Sequence, residues 1–168
     1  MTSAANRIQT LCFASVIALL FGALGALDFV PVIRGDDRPG FDPWPAAQSA
    51  QAAELARELG EKNTPPPIVI YVGFHTLFAG GHIPGATFHG TASTEQGLTD
   101  LKKWADRLPR TTNVVIYCGC CPFEKCPNIR PAFIALDKMG FKNLRVLVLP
   151  TSFVTDWVDK GYPVQKGM

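Results

Sequence analysis

An apolar, β-branched run, Val114-Val115-Ile116-Tyr117, stops abruptly at Cys118. Gly119-Cys120-Cys121-Pro122-Phe123-Glu124-Lys125-Cys126-Pro127 follows, so four of the chain's five cysteines fall within nine residues. A segment with helical character then runs from Asn128 to Met139. This order of strand, thiol-rich loop and helix constrains the chain more than any other feature. A short continuous apolar run reads as an interior strand covered on both faces. Where such a strand turns into a helix, several backbone N–H groups are left unpaired and, with the helix dipole, favour an anion. A cysteine held there has its pKa drawn from about 8.5 toward neutrality, and the thiolate is the nucleophilic form. Cys118, the first residue beyond the strand, is therefore the candidate nucleophile.

The remaining segments repeat the alternation. Helices are expected over Ala46 to Lys62, with Ala52, Leu55, Ala56 and Leu59 on one face, and over Thr94 to Leu108, with Leu98, Leu101, Trp104, Ala105 and Leu108 inward. Pro109 ends the second of these, and Gly140 ends the helix from Asn128. Strands are expected at Ile68 to Val72, near Thr87 and Phe88, at Asn113 to Tyr117 and at Leu144 to Leu149, where Arg145 alone is charged. His75 to Ala79 and Ser152 to Asp159 suit short helical turns. The class is α/β, with a central, mainly parallel sheet flanked by helices. In such sheets ligands sit at the carboxyl ends of the strands, which is where Cys118 falls.

The amino end reads differently. Leu11 to Leu27 is uninterrupted apolar sequence, preceded by Arg7 and ended by Asp28. Residues 1–30 are expected to be a signal peptide or a single hydrophobic membrane anchor helix, with small residues suited to cleavage after Gly25 or Ala26. Residues 31–45 carry Gly35, Pro39, Gly40, Pro43 and Pro45 and read as a linker, its end pinned to the domain by Phe41 and Trp44. Residues 46–168 are then one domain. This organisation implies an extracytoplasmic protein, periplasmic if the source is Gram-negative, either released after cleavage or held by a membrane anchor, in a compartment that permits disulfides. The net charge is +2 with 18% charged residues, which gives no nucleic-acid surface.

Within the loop, Cys120, Cys121 and Cys126 are candidate resolving thiols, and their bland role is a structural disulfide. Cys118 and Cys121 have the Cys-x-x-Cys spacing of redox motifs. With Cys118, Cys121 and Cys126 as the catalytic set, Gly119, Cys120, Lys125, Asn128 and Arg130 are the expected substrate-binding residues. Arg130 reads equally as an oxyanion ligand or as a salt-bridge partner. Lys125 reads more simply as a solvated cation, and His82 as a structural turn residue. His75 and His89 could join the cysteines around zinc, but the Cys-x-Cys-Cys-x4-Cys spacing matches no paired zinc knuckle. Neither a metal nor a cofactor is expected.

Three stretches resemble the rhodanese family. Gly81-His82-Ile83-Pro84-Gly85-Ala86 resembles its signature turn, and Val114 to Cys118 resembles its hydrophobic strand ending in the nucleophile. Met139-Gly140-Phe141 through Leu147, then Asp156-Trp157 and Gly161-Tyr162-Pro163-Val164, resembles its carboxyl-terminal pattern. The likeness runs from about Ala46 to Lys166, the size of one domain. It implies a single rhodanese-like domain and a sulfurtransferase. A thiolate would take the outer sulfur of thiosulfate or a similar small anionic donor and release sulfite. The persulfide would pass its sulfur to cyanide, a thiol or a redox protein, with Cys118 in the nucleophile's place. The family loop is short, whereas here Arg130 follows Cys118 by twelve positions. Counting back from Gly140, Asn128 takes the place of the family arginine. Tyr71-Val72-Gly73-Phe74 stands where the family carries an acidic residue and an arginine. The resemblance is thus to a subgroup with an extended, cysteine-rich loop. Two other functions fit the same residues. Tyr117 to Pro122 superficially resembles a thioredoxin active site, which suits a thiol–disulfide oxidoreductase. Cys120, Cys121 and Cys126 would suit a metal- or copper-handling module.

Overall fold

A computed structural model describes residues 42–167. Five parallel strands form one sheet in the order β1-β5-β4-β2-β3. They are β1 (Ser49–Gln51), β2 (Ile68–Tyr71), β3 (Thr87–Phe88), β4 (Asn113–Tyr117) and β5 (Asn143–Val148). The helices are α1 (Ala52–Gly60), α2 (His75–Gly80), α3 (Glu95–Ala105) and α4 (Ile129–Lys138). The expected leader falls outside the described residues. Among the described residues no helix is long and apolar enough to cross a membrane.

β4 lies at the centre of the sheet because its residues are apolar on both faces. Val114 and Ile116 join Ile70, Val72, Leu101, Ile129, Phe133 and Leu136 in one core cluster. Val115 and Tyr117 point the other way and join Val69, Leu55, Phe78 and Trp157 in a second. The two-residue period of a strand assigns each side chain to its layer. Each fully buried Leu, Ile or Phe contributes about 1.5–3 kcal/mol of transfer free energy, so both layers hold the sheet. The register of β2 on β4 sets Tyr71 beside Tyr117, so two aromatic rings close the carboxyl end of the central strands.

One expected helix differs. Ala46 to Gln51 was expected to continue into α1, but Ala46–Gln48 is a 3-10 turn and Ser49–Gln51 is the edge strand β1 on β5. Local helix propensity yields here to the open edge of β5. α1 starts afterwards, with a capping box in which the Gln51 N–H donates to Glu54 at 3.2 Å. Arg145, the charge within β5, is explained by Glu58 of α1, whose carboxylate receives it at 2.8 and 3.0 Å. α3 begins at Thr94, whose hydroxyl accepts the Gly97 N–H. Gly90, at φ 136°, lies against Gly97 so closely that a Cβ on it would meet the Gly97 carbonyl oxygen at 2.2 Å.

The expected linker end is packed. Trp44 is 7% exposed and lies against Phe123 and Phe133, at ring centroid distances of 5.8 and 5.1 Å. Asp42 receives Arg130 at 2.6 Å. Trp44→Ala is expected to cost about 3 kcal/mol of stability by loss of buried aromatic surface, read by urea denaturation. A change below about 0.5 kcal/mol would mean that this segment is not part of the folded unit.

Candidate active site

β4 delivers Cys118 to the carboxyl edge of the sheet, and α4 begins at Ile129 after the loop. The loop is tied down along its length. The Phe153 N–H donates to the Gly119 carbonyl at 3.2 Å, and the Phe123 N–H to the Pro150 carbonyl at 3.3 Å. Phe123–Lys125 makes one 3-10 turn, whose buried Phe123 packs on Trp44. Gly119 is required there, since a Cβ would meet the Phe153 Cβ at 2.5 Å. The signature turn is held to the same edge: the Ile83 N–H donates to the Tyr117 hydroxyl at 3.0 Å. His82 is buried, bonds through Nδ1 to the Phe78 carbonyl at 2.8 Å and stacks on the Phe78 ring. It is a structural turn residue, as its sequence context suggests.

The four loop cysteines are free thiols. Cys118 and Cys126 are buried, and Cys120 and Cys121 are half-buried. Cys118 Sγ lies 3.2 Å from Cys120 Sγ, and Cys120 Sγ lies 3.3 Å from Cys121 Sγ. The sulfurs of Cys118, Cys120 and Cys126 are all within 4.8 Å of one another, a set that could hold a soft cation. His75 and His89 are not in that set. His89 stacks on Trp104 at 3.7 Å and meets Thr87 Oγ1 at 3.0 Å.

Asn128 is fully buried and organises the thiols. Its Oδ1 accepts the Ser93 N–H at 2.9 Å. That bond turns its Nδ2 toward Cys118 Sγ at 3.7 Å and Cys120 Sγ at 3.9 Å. The residue in the family arginine's place thus addresses the sulfurs directly. Arg130 does not stand free for an oxyanion: Asp42 takes its guanidinium at 2.6 Å, and its cation lies 5.9 Å from the Trp44 ring. Lys125 is exposed.

The electrostatics differ from the sequence expectation. Cys118 receives one backbone N–H, from Cys120, yet its thiol is pushed well up, first by the hydrogen bond it gives to Cys126 and then by burial. Cys126 is lowered to about 6, first by that same hydrogen bond from Cys118, then by the backbone N–H groups of Asn128 and Ile129 at the start of α4. Cys121 is pushed up to about 12, chiefly by burial. The amide donors expected around Cys118 therefore favour the anion at Cys126. The loop carries this later cysteine to the helix start. Cys118 belongs to the apolar cluster at the strand end.

Two residues were not singled out from the sequence. Tyr71 closes the site from β2, and Gly73 lets the chain pass the sulfur: a Cβ at Gly73 would meet the Tyr71 hydroxyl at 2.5 Å and Cys118 Sγ at 2.8 Å. The stretch Tyr71-Val72-Gly73-Phe74, placed after the first core strand, was the available signal. A cavity of about 10 Å³ lies among Cys118, Cys121, Cys126, Phe123, Ile129 and Leu149, and holds roughly one water. A cleft of about 330 Å³, with Tyr71, Leu77, Phe153 and Val154 in its walls, shares Gly119 with it.

No family model and no curated protein matches the sequence. Solved structures do match. The rhodanese-like domain of a protein from Anabaena sp superposes with a TM-score of 0.52 at 20% identity, over 71% of this chain and 79% of that one. A single-domain sulfurtransferase from Saccharomyces cerevisiae gives 0.50 at 16% identity, over 68% and 90% of the two chains. The fold is that of a rhodanese-like domain. A thiosulfate sulfurtransferase from Pseudomonas aeruginosa gives 0.53 at 26% identity, over 73% of this chain but only 20% of that longer one. In this chain the loop after the central strand carries four thiols.

Because a lowered pKa places the anion above about pH 6, the reduced, metal-free chain is expected to gain one thiolate as pH rises through that value. The gain is read by ultraviolet thiolate absorbance. It should vanish in Cys126→Ser and persist in Cys121→Ser. A first thiolate appearing only above pH 8 would remove the anion from Cys126.

Proposed function

We propose that this chain is a sulfurtransferase that moves sulfane sulfur from thiosulfate, or a similar small anionic donor, to a thiol acceptor through a cysteine persulfide. The observation that carries the proposal is the buried Cys118–Cys126 pair, its sulfurs within 4.8 Å of each other where the β4 end meets the α4 start on a rhodanese-like sheet. The sulfurtransferases with which the fold superposes add to it.

In this reading Cys126 is the attacking group and Cys118 the buried thiol beside it. The Cys126 thiolate attacks the outer sulfur of thiosulfate. A sulfur–sulfur bond forms as the donor's own sulfur–sulfur bond breaks, and sulfite leaves with the electron pair. The amide groups of Asn128 and Ile129 that favour the thiolate then favour the persulfide anion. An acceptor thiolate attacks the outer sulfur, forms the new persulfide and restores Cys126 as thiolate. Half-buried Cys120 and Cys121 are placed to resolve the persulfide when no acceptor arrives. A protein thiol would approach from the side of the cleft at Gly119. The apolar run Leu11 to Leu27 supports work outside the cytoplasm, after export or on an anchor.

The test is sulfite release from thiosulfate with the full chain and a thiol acceptor. Cys126→Ser is expected to lose at least about 100-fold, and Cys118→Ala, which removes the neighbouring thiol, about 10-fold. The opposite order would return the nucleophile to Cys118. Unchanged turnover in both would end the persulfide proposal. Gly73→Ala should also slow transfer about 10-fold, because its methyl group displaces the Cys118 sulfur. Wild-type turnover in that variant would show that the sulfur's position is not critical.

A further inference from the structure

We infer that Cys118, Cys120 and Cys126 form a three-sulfur site for a single soft monovalent cation, Cu(I). The cluster is assembled before any ion arrives. A cation bound about 2.3 Å from each of three sulfurs needs them roughly 4 Å apart. The three sulfurs lie within 4.8 Å of one another, the closest pair, Cys118 and Cys120, at 3.2 Å. Side-chain rotation of the half-buried Cys120 supplies the small opening required.

The donor set selects the ion. Thiolates are soft ligands, and no histidine or carboxylate is within the group. Three ligands suit Cu(I), whereas structural zinc takes four. Cys121 lies 3.3 Å from Cys120 but outside the three-sulfur set. The chain order alone paired Cys120 with Cys121 and Cys126. The folded loop replaces Cys121 by Cys118, because residues 118 and 126 are brought together where β4 meets α4.

The surroundings fit an ion held rather than exchanged with water. Cys118 and Cys126 are each 4% exposed, in apolar surroundings that include Phe123 and Ile129. The Asn128 amide donates toward two of the three sulfurs at 3.7 and 3.9 Å, a contact that orients ligands and tempers their charge. The thiol protons displaced on binding pass to solvent. The inference is independent of sulfur transfer: an occupied site would block the persulfide, and an empty one would allow it.

The experiment is anaerobic titration of the reduced full chain with Cu(I) held by bathocuproine disulfonate, read by loss of the chelate's colour. One Cu(I) per chain is expected to leave the chelator. Cys118→Ser, Cys120→Ser and Cys126→Ser should each weaken retention at least tenfold, and Cys121→Ser should keep it. Because Cys120 is half-buried, Cys120→Ser keeps the fold, as circular dichroism would record, and isolates ligand loss from unfolding. Copper left wholly with the chelator would overturn the assignment. So would retention in Cys120→Ser equal to wild type, loss in Cys121→Ser equal to that in the other three, or uptake of Zn(II) alone. Sulfite release by the metal-free wild-type chain, measured in parallel, reports on sulfur transfer separately from copper retention.

Discussion

The approach of the buried Cys118 and Cys126 sulfurs, within 4.8 Å of each other, is the contact around which the site is arranged. It joins the end of the central strand to the start of the following helix, across the whole length of the loop. Of the two thiols, Cys118 is pushed up and Cys126 is lowered. Burial alone would raise both thiols, and the helix amides alone reach only the later one. The asymmetry therefore comes from position: one cysteine belongs to the sheet and the other to the helix.

The rest of the molecule serves that juxtaposition. The alternating side chains of β4 fix it between two apolar layers, so the strand end cannot shift. Trp44 and Asp42 hold the start of α4 through Phe133 and Arg130. Ser93, at the foot of α3, aims Asn128 at the sulfurs. These contacts come from three separate parts of the chain, and each restrains one side of the loop.

Much of the architecture was legible in the residues. β4 and α4 matched their expected bounds within a residue or two, because β-branched runs and helical periods report burial directly. β1 did not, since an Ala- and Gln-containing segment has no strand character of its own and pairs only because β5 has an open edge. The thiol loop was visible as the candidate site, but which cysteine meets the amide donors was not. Spacing cannot show that Phe123–Lys125 folds into a tight turn and returns Cys126 to the strand end. Arg130 was legible as a cation near the site, yet its partner is 88 positions away and no local pattern announces it. The role of Gly73 depends on a close approach between two strands, which exists only in three dimensions.

The outermost strands, β1 and β3, have three and two residues. Short borders of this kind offer a second molecule very few free amide and carbonyl groups to pair with. A sheet this apolar is thereby poorly suited to nucleate fibrils, and the safeguard costs the molecule nothing at its thiol-bearing end.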